Sequence, residues 1–155
     1  MGTHASDVFD LFMILQTDYK LLALYQNSGT AGLNNYLEAW LLLSINEFDS
    51  ICTQSLVYDT ETQTFSETLT NENKMMLCQI MVKYWLLKNV QDILQMNLNI
   101  QDHDFKTFSQ SENLSAKQKM YAAKREEVSQ LLNDYAYKHN NWVNWELGIY
   151  YVSRY

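Results

Sequence analysis

Asp102-His103-Asp104 sets an imidazole between two carboxylates, the arrangement in this sequence best suited to bind a cation or move a proton. A calcium loop opening at Asp102 needs glycine at its sixth position and an acid at its twelfth. Those positions hold Thr107 and Asn113, so the pattern fails. No zinc-protease helix, paired-cysteine zinc motif, phosphate-cradling loop or serine-nucleophile elbow occurs elsewhere. The triplet reads as a solvated acidic loop, and no enzymatic activity, cofactor or metal is expected. Lys117, Lys119, Lys124 and Arg125 could touch phosphate, but Glu126 and Glu127 follow at once, and a solvated helix face accounts for them. His4 and His139 lie near a terminus and at a helix end. Cys52 and Cys78 both fall in apolar surroundings and read as reduced core residues rather than a disulfide. Asn113-Leu114-Ser115 matches a glycosylation sequon, which matters only on a secretory route, and no secretory apolar stretch opens the sequence. Met1-Gly2-Thr3-His4-Ala5-Ser6 fits the short myristoylation pattern, but Asp7 follows and one acyl chain anchors weakly.

The elements that must carry these residues are helices. Proline is absent and glycine occurs four times in 155 residues, so little interrupts a helix. The apolar fraction of 47% supports a buried core in a single domain over residues 1–139. A net charge of −7 argues against a surface that grips duplex DNA, because phosphate contacts need clustered cations. The charge is uneven, with nine acids against one base up to residue 70 and near balance beyond it.

The chain is organised around Thr70 to Met96. Between Met75 and Leu87 only Gln79 and Lys83 are polar, so this helix is covered on most sides. Thr70 is its expected N-cap, Glu72 sits in its first turn, and Met75, Met76 and Met81 fill core. Lys74, Lys83, Lys88 and Asp92 exclude a membrane span. Before it, Val8, Leu11, Phe12, Leu15, Tyr19 and Leu22 recur at helical spacing, predicting a first helix over Asp7 to about Gln26, ended by Asn27 to Gly32. A second is predicted from Asn35, paired with Glu38 as in a capping box, to about Gln54. Its apolar face holds Leu37, Trp40, Leu41, Phe48, Ile51 and Cys52.

Residues 55–69 read as a small β-hairpin that must lean on helices or on a neighbour. A last helix is predicted from Ser111 to His139. Val128, Leu131, Leu132 and Tyr135 pack its second half, while its first half is solvated or contacts another subunit. The expected fold is mainly α: a four-helix core, a hairpin between helices 2 and 3, and an aromatic C-terminal tail. That tail, residues 140–155, holds Trp142, Trp145, Tyr150, Tyr151 and Tyr155, and either folds back as a strand or docks on another chain.

From Leu41 to Tyr135 the sequence resembles the small helical head–tail connector (adaptor or neck) proteins of tailed bacteriophages. The similarity is carried by Ser44-Ile45-Asn46-Glu47-Phe48, Thr64-Phe65, Leu69-Thr70-x-Glu72, Ile80-Met81-Val82 and Trp85-Leu86. Downstream it continues in Asp104-Phe105-Lys106-x-Phe108-Ser109, Asn113-Leu114 and Lys117. These are packing and turn signatures, and the aromatic tail departs from the pattern. The resemblance implies a non-enzymatic virion protein: a ring, commonly twelvefold, between the portal protein and tail or stopper proteins, with DNA passing through unread and no membrane involved. The protein would assemble in the bacterial host cytoplasm and end in the virion neck. On this reading Tyr58 and Phe65 of the hairpin meet a neighbouring subunit, and Trp142, Trp145, Tyr150, Tyr151 and Tyr155 meet the portal or the next ring. The alternative from the residues alone is a non-viral helical protein–protein interaction module.

Overall fold

The computed structural model describes residues 2–16, 18–99 and 107–139, the side chains at 96–99 and 107–112 excepted. The fold is mainly α: four helices with a two-stranded antiparallel hairpin between the second and third. The elements are α1 (Ala5–Leu15), α2 (Tyr19–Phe48), β1 (Tyr58–Asp59), β2 (Thr64–Phe65), α3 (Asn71–Asn99) and α4 (Thr107–His139). The aromatic tail and the Asp102-His103-Asp104 loop lie outside the described residues.

α3 is the central helix, packed against α1, α2 and α4. The Thr70 hydroxyl caps it, accepting from the Asn73 N–H at 3.2 Å. Leu77, Cys78, Ile80, Met81 and Val82 are fully buried because the other three helices cover α3 on several sides. Its two polar interruptions are matched from neighbouring helices: the Lys83 ammonium donates to Glu47 of α2, and Lys124 of α4 donates to Gln79. α4 runs antiparallel to α3, its Lys138 and His139 meeting Glu72 at 2.8 and 3.1 Å. Val128 and Tyr135 bury the second half of α4, while Met120 in the first half is exposed.

Three boundaries differ from the periodicity. The helix predicted to reach Gln26 ends at Leu15, and a new one starts at Tyr19 with Asp18 as N-cap, its carboxylate accepting from the Lys20 N–H at 2.9 Å. Beyond it, the interruption expected within Asn27 to Gly32 occurs as a kink at Gly29, across which α2 joins two helical arms. Gly29 alone leaves helical geometry, at φ 66° and ψ −170°, a backbone region open essentially to glycine. The second helix therefore does not start at Asn35. Asn35 and Glu38 form no capping box; they face the hairpin, accepting from Gln63 and Tyr58. The helix also stops at Phe48, short of Gln54, in a turn where the Ile51 and Cys52 N–H groups return to the Phe48 carbonyl.

The hairpin leans on its own chain. Residues 2–5 add a third extended segment beside β2, through Thr3 N–H to Glu67 O at 3.0 Å, Phe65 N–H to Thr3 O at 2.8 Å and Ala5 N–H to Gln63 O at 2.9 Å. The approach is close: a Cβ on Gly2 would stand 1.7 Å from the Phe65 carbonyl oxygen. Residues of the myristoylation pattern thus serve as structure, with Thr3 buried and its hydroxyl accepting from the Leu69 N–H.

Candidate interaction surface

The hairpin residues expected to meet a neighbour have separate fates. Phe65 is 1% exposed, a core residue of its own chain with no area to share, so it leaves the expected interface. Tyr58 is half-buried, its ring tilted against Phe65 with centroids 5.1 Å apart and its hydroxyl donating to Glu38 at 2.9 Å. Burial and that hydrogen bond, which favours the neutral phenol, raise its pKa. Beside Tyr58, Val57 does face solvent. Trp142, Trp145, Tyr150, Tyr151 and Tyr155 lie outside the described residues.

The larger apolar surface lies where periodicity had placed core. The break between α1 and α2 takes Leu15, Tyr19 and Leu22 off the stripe they would share with Val8 and Phe12 on one continuous helix. Tyr19 is 89% exposed, Ile14 76% and Leu22 50%, with Leu15 and Tyr25 also exposed. Tyr19, Leu22 and Tyr25 line, with Met13, Asp18 and Leu33, a groove of about 560 Å³. In a straight helix Tyr19 and Leu33 would be about 21 Å apart along the axis. They line one groove because the chain turns at Gly29. The signal was present in Asp18, a good N-cap residue inside an otherwise periodic run.

Large apolar side chains standing singly on a surface are ordinary; five exposed within twelve residues, three of them lining one groove, are a cluster of the kind interaction sites carry. The groove is mostly apolar and its one charged lining residue is Asp18, whose carboxylate already serves as a helix cap. It offers shape and apolar area rather than a polar constellation for chemistry.

A smaller hollow of about 330 Å³ lies between α1 and the start of α3, lined by Asp7, Asp10, Leu11, Asn71, Lys74 and Met75. Lys74 pairs with Asp7 there at 3.6 Å. Among the described residues no group of three His, Cys, Asp or Glu side chains is placed to hold a metal, and no helix is long and apolar enough to cross a membrane.

Nor do the cysteines offer a nucleophile. Burial pushes the Cys78 thiol up to about 12, and burial also raises Cys52, whose sulfur lies 3.8 Å from the Tyr135 hydroxyl. Both are free thiols, as expected.

Comparison with protein-family models, curated proteins and solved structures finds no match.

Proposed function

We propose that this chain is a structural neck protein of a tailed bacteriophage, whose copies form a ring that joins the portal protein to tail or stopper proteins around the DNA channel. The observation that carries the assembly part is the exposed apolar groove between α1 and the two arms of α2. Apolar area left in water is free energy a second chain can recover, at roughly 25 cal/mol per Å² buried.

The choice of a phage neck rests on the resemblance over Leu41 to Tyr135. Several residues that carry it (Phe48, Phe65, Leu69, Ile80, Met81 and Trp85) are buried core, so they speak for a shared packing scheme. Ring contacts are heterologous and close by rotation, which lets each copy cover its neighbour's leftover surface. The net charge of −7 suits a channel through which DNA slides without sticking.

The test is imaging of the full chain mixed with the portal protein of its own phage. The expected particle is a portal with an added ring on its tail-proximal side. Portal particles left bare, with the added chain free in solution, would contradict the neck assignment. A single groove of this volume also suits the second reading, a helical module that binds one partner. That reading expects a one-to-one complex and no ring.

A further inference from the structure

We infer that the α1–α2 groove receives Trp142 and Trp145, from the aromatic tail (residues 140–155), of a second copy of this chain. The inference rests on the assembly reading above and names the partner of its groove.

The first ground is chemical match. The groove has a mostly apolar floor and tyrosine walls. The tail brings Trp142 and Trp145 three residues apart, large rigid side chains of the kind that anchor interfaces. A volume of about 560 Å³ is of the size that takes a few such side chains rather than a whole helix face.

The second ground is reach. α4 ends at His139, held against Glu72 at the start of α3. The groove lies toward the other end of α3, where Lys20, next to groove residue Tyr19, approaches Asp92 at 4.0 Å. Twenty residues of α3 separate those two anchor points, about 30 Å of helix. Trp142 and Trp145 stand three and six residues past His139, so even fully extended chain carries them at most about 11 and 22 Å. Both tryptophans fall short of the Tyr19 end of their own groove, a limit that does not hold for Ile149 and Tyr150, ten and eleven residues past His139, so the contact with a second copy is assigned to the tryptophans alone. Because donor and acceptor lie toward opposite ends of α3, the contact is head-to-tail, the type that propagates from copy to copy and can close into a ring.

Full-length wild type, Leu22→Lys in the groove, the Trp142→Ala/Trp145→Ala double variant in the tail, and an equimolar mixture of the two variants are compared by sedimentation velocity at tens of micromolar. Leu22 is half exposed, so the lysine leaves the core untouched; if helical circular dichroism nevertheless falls, Tyr25→Glu replaces it. Expected are an oligomer for wild type, a monomer for each variant alone, and one-to-one pairs in the mixture, where the lysine variant's intact tail enters the other's intact groove.

A mixture that stays monomeric would overturn the inference, since no tail then crosses between chains. A tail variant that assembles like wild type, beside a monomeric Leu22→Lys, would also overturn it while leaving the groove an interface for another occupant. A monomeric wild type would sink this inference and the assembly reading together, as would a groove variant that assembles unchanged.

Discussion

Lys83 brings an ammonium into the tightest part of the helix packing, and Glu47 is what makes that tolerable. The two side chains are 11% and 25% exposed, and the ammonium also lies 4.4 Å from the centre of the Tyr84 ring. The partners are not equivalent, because Glu47 can reach water if left alone and Lys83 largely cannot. Glu47→Ala is therefore expected to lower unfolding free energy by about 2 kcal/mol, more than Lys83→Met, and Glu47→Leu with Lys83→Met should recover most of the loss, as urea denaturation would show. Alkaline pH probes the buried phenols. Burial and a hydrogen bond to Glu47 raise Tyr84 to about 12, and Tyr58 is raised by burial and Glu38. Above pH 10 the unfolded chain gives up phenolic protons that the folded chain keeps, so the unfolded state binds fewer and stability falls as pH rises. The urea midpoint should drop between pH 10 and 12, and less steeply in Tyr58→Phe or Tyr84→Phe than in wild type. An equal slope in all three would contradict the environments described for these rings.

At the scale of elements, the groove is made by two interruptions in what would otherwise be continuous helix. Gly29 makes one of them, and no atom crowds the space a Cβ would fill there, so its requirement is backbone conformation alone. Gly29→Ala should cost about 1–3 kcal/mol by denaturant titration, with the loss confined to backbone strain. Gly2→Ala acts by collision instead, driving the first residues off β2; faster amide exchange at Thr3 and Phe65 would report it. The same elements show what could be read in advance. α3 was legible because its apolar run, the Thr70 cap and the first-turn Glu72 all agree. The second half of α4 was legible through Val128 and Tyr135. The α1–α2 break was not, since Leu15, Tyr19 and Leu22 keep helical spacing across it. Periodicity records which residues would share a face, not whether that face is covered. Asn35 and Glu38 misled in a related way: residues that can cap a helix can equally hold a hairpin, and only tertiary placement decides. The extended segment at residues 2–5 was invisible because its main-chain pairing with β2 leaves no side-chain signature.

For the whole molecule, the described core is supplied by one chain. α3 is buried against its three neighbours and the hairpin is secured by residues 2–5 and by Glu38, so the fold does not need a partner to close those regions. Among the described residues, the exposed apolar side chains include Tyr19, Leu22 and Tyr25, which line the groove, and Ile14 and Leu15 near them in the chain, with Val57 and Met120 exposed elsewhere. This separation predicts that Leu22→Lys abolishes association while leaving the urea midpoint of the monomer nearly unchanged, within about 0.5 kcal/mol for an exposed site. A large drop in stability instead would mean that the groove belongs to the core. The claim on which the account turns is that this surface is covered by other copies, and the mass of the purified full chain under native conditions tests it most directly. The account predicts a discrete multiple of the 18.3 kDa protomer at tens of micromolar, dispersed by Leu22→Lys. A single 18.3 kDa species at every concentration up to that range would contradict it.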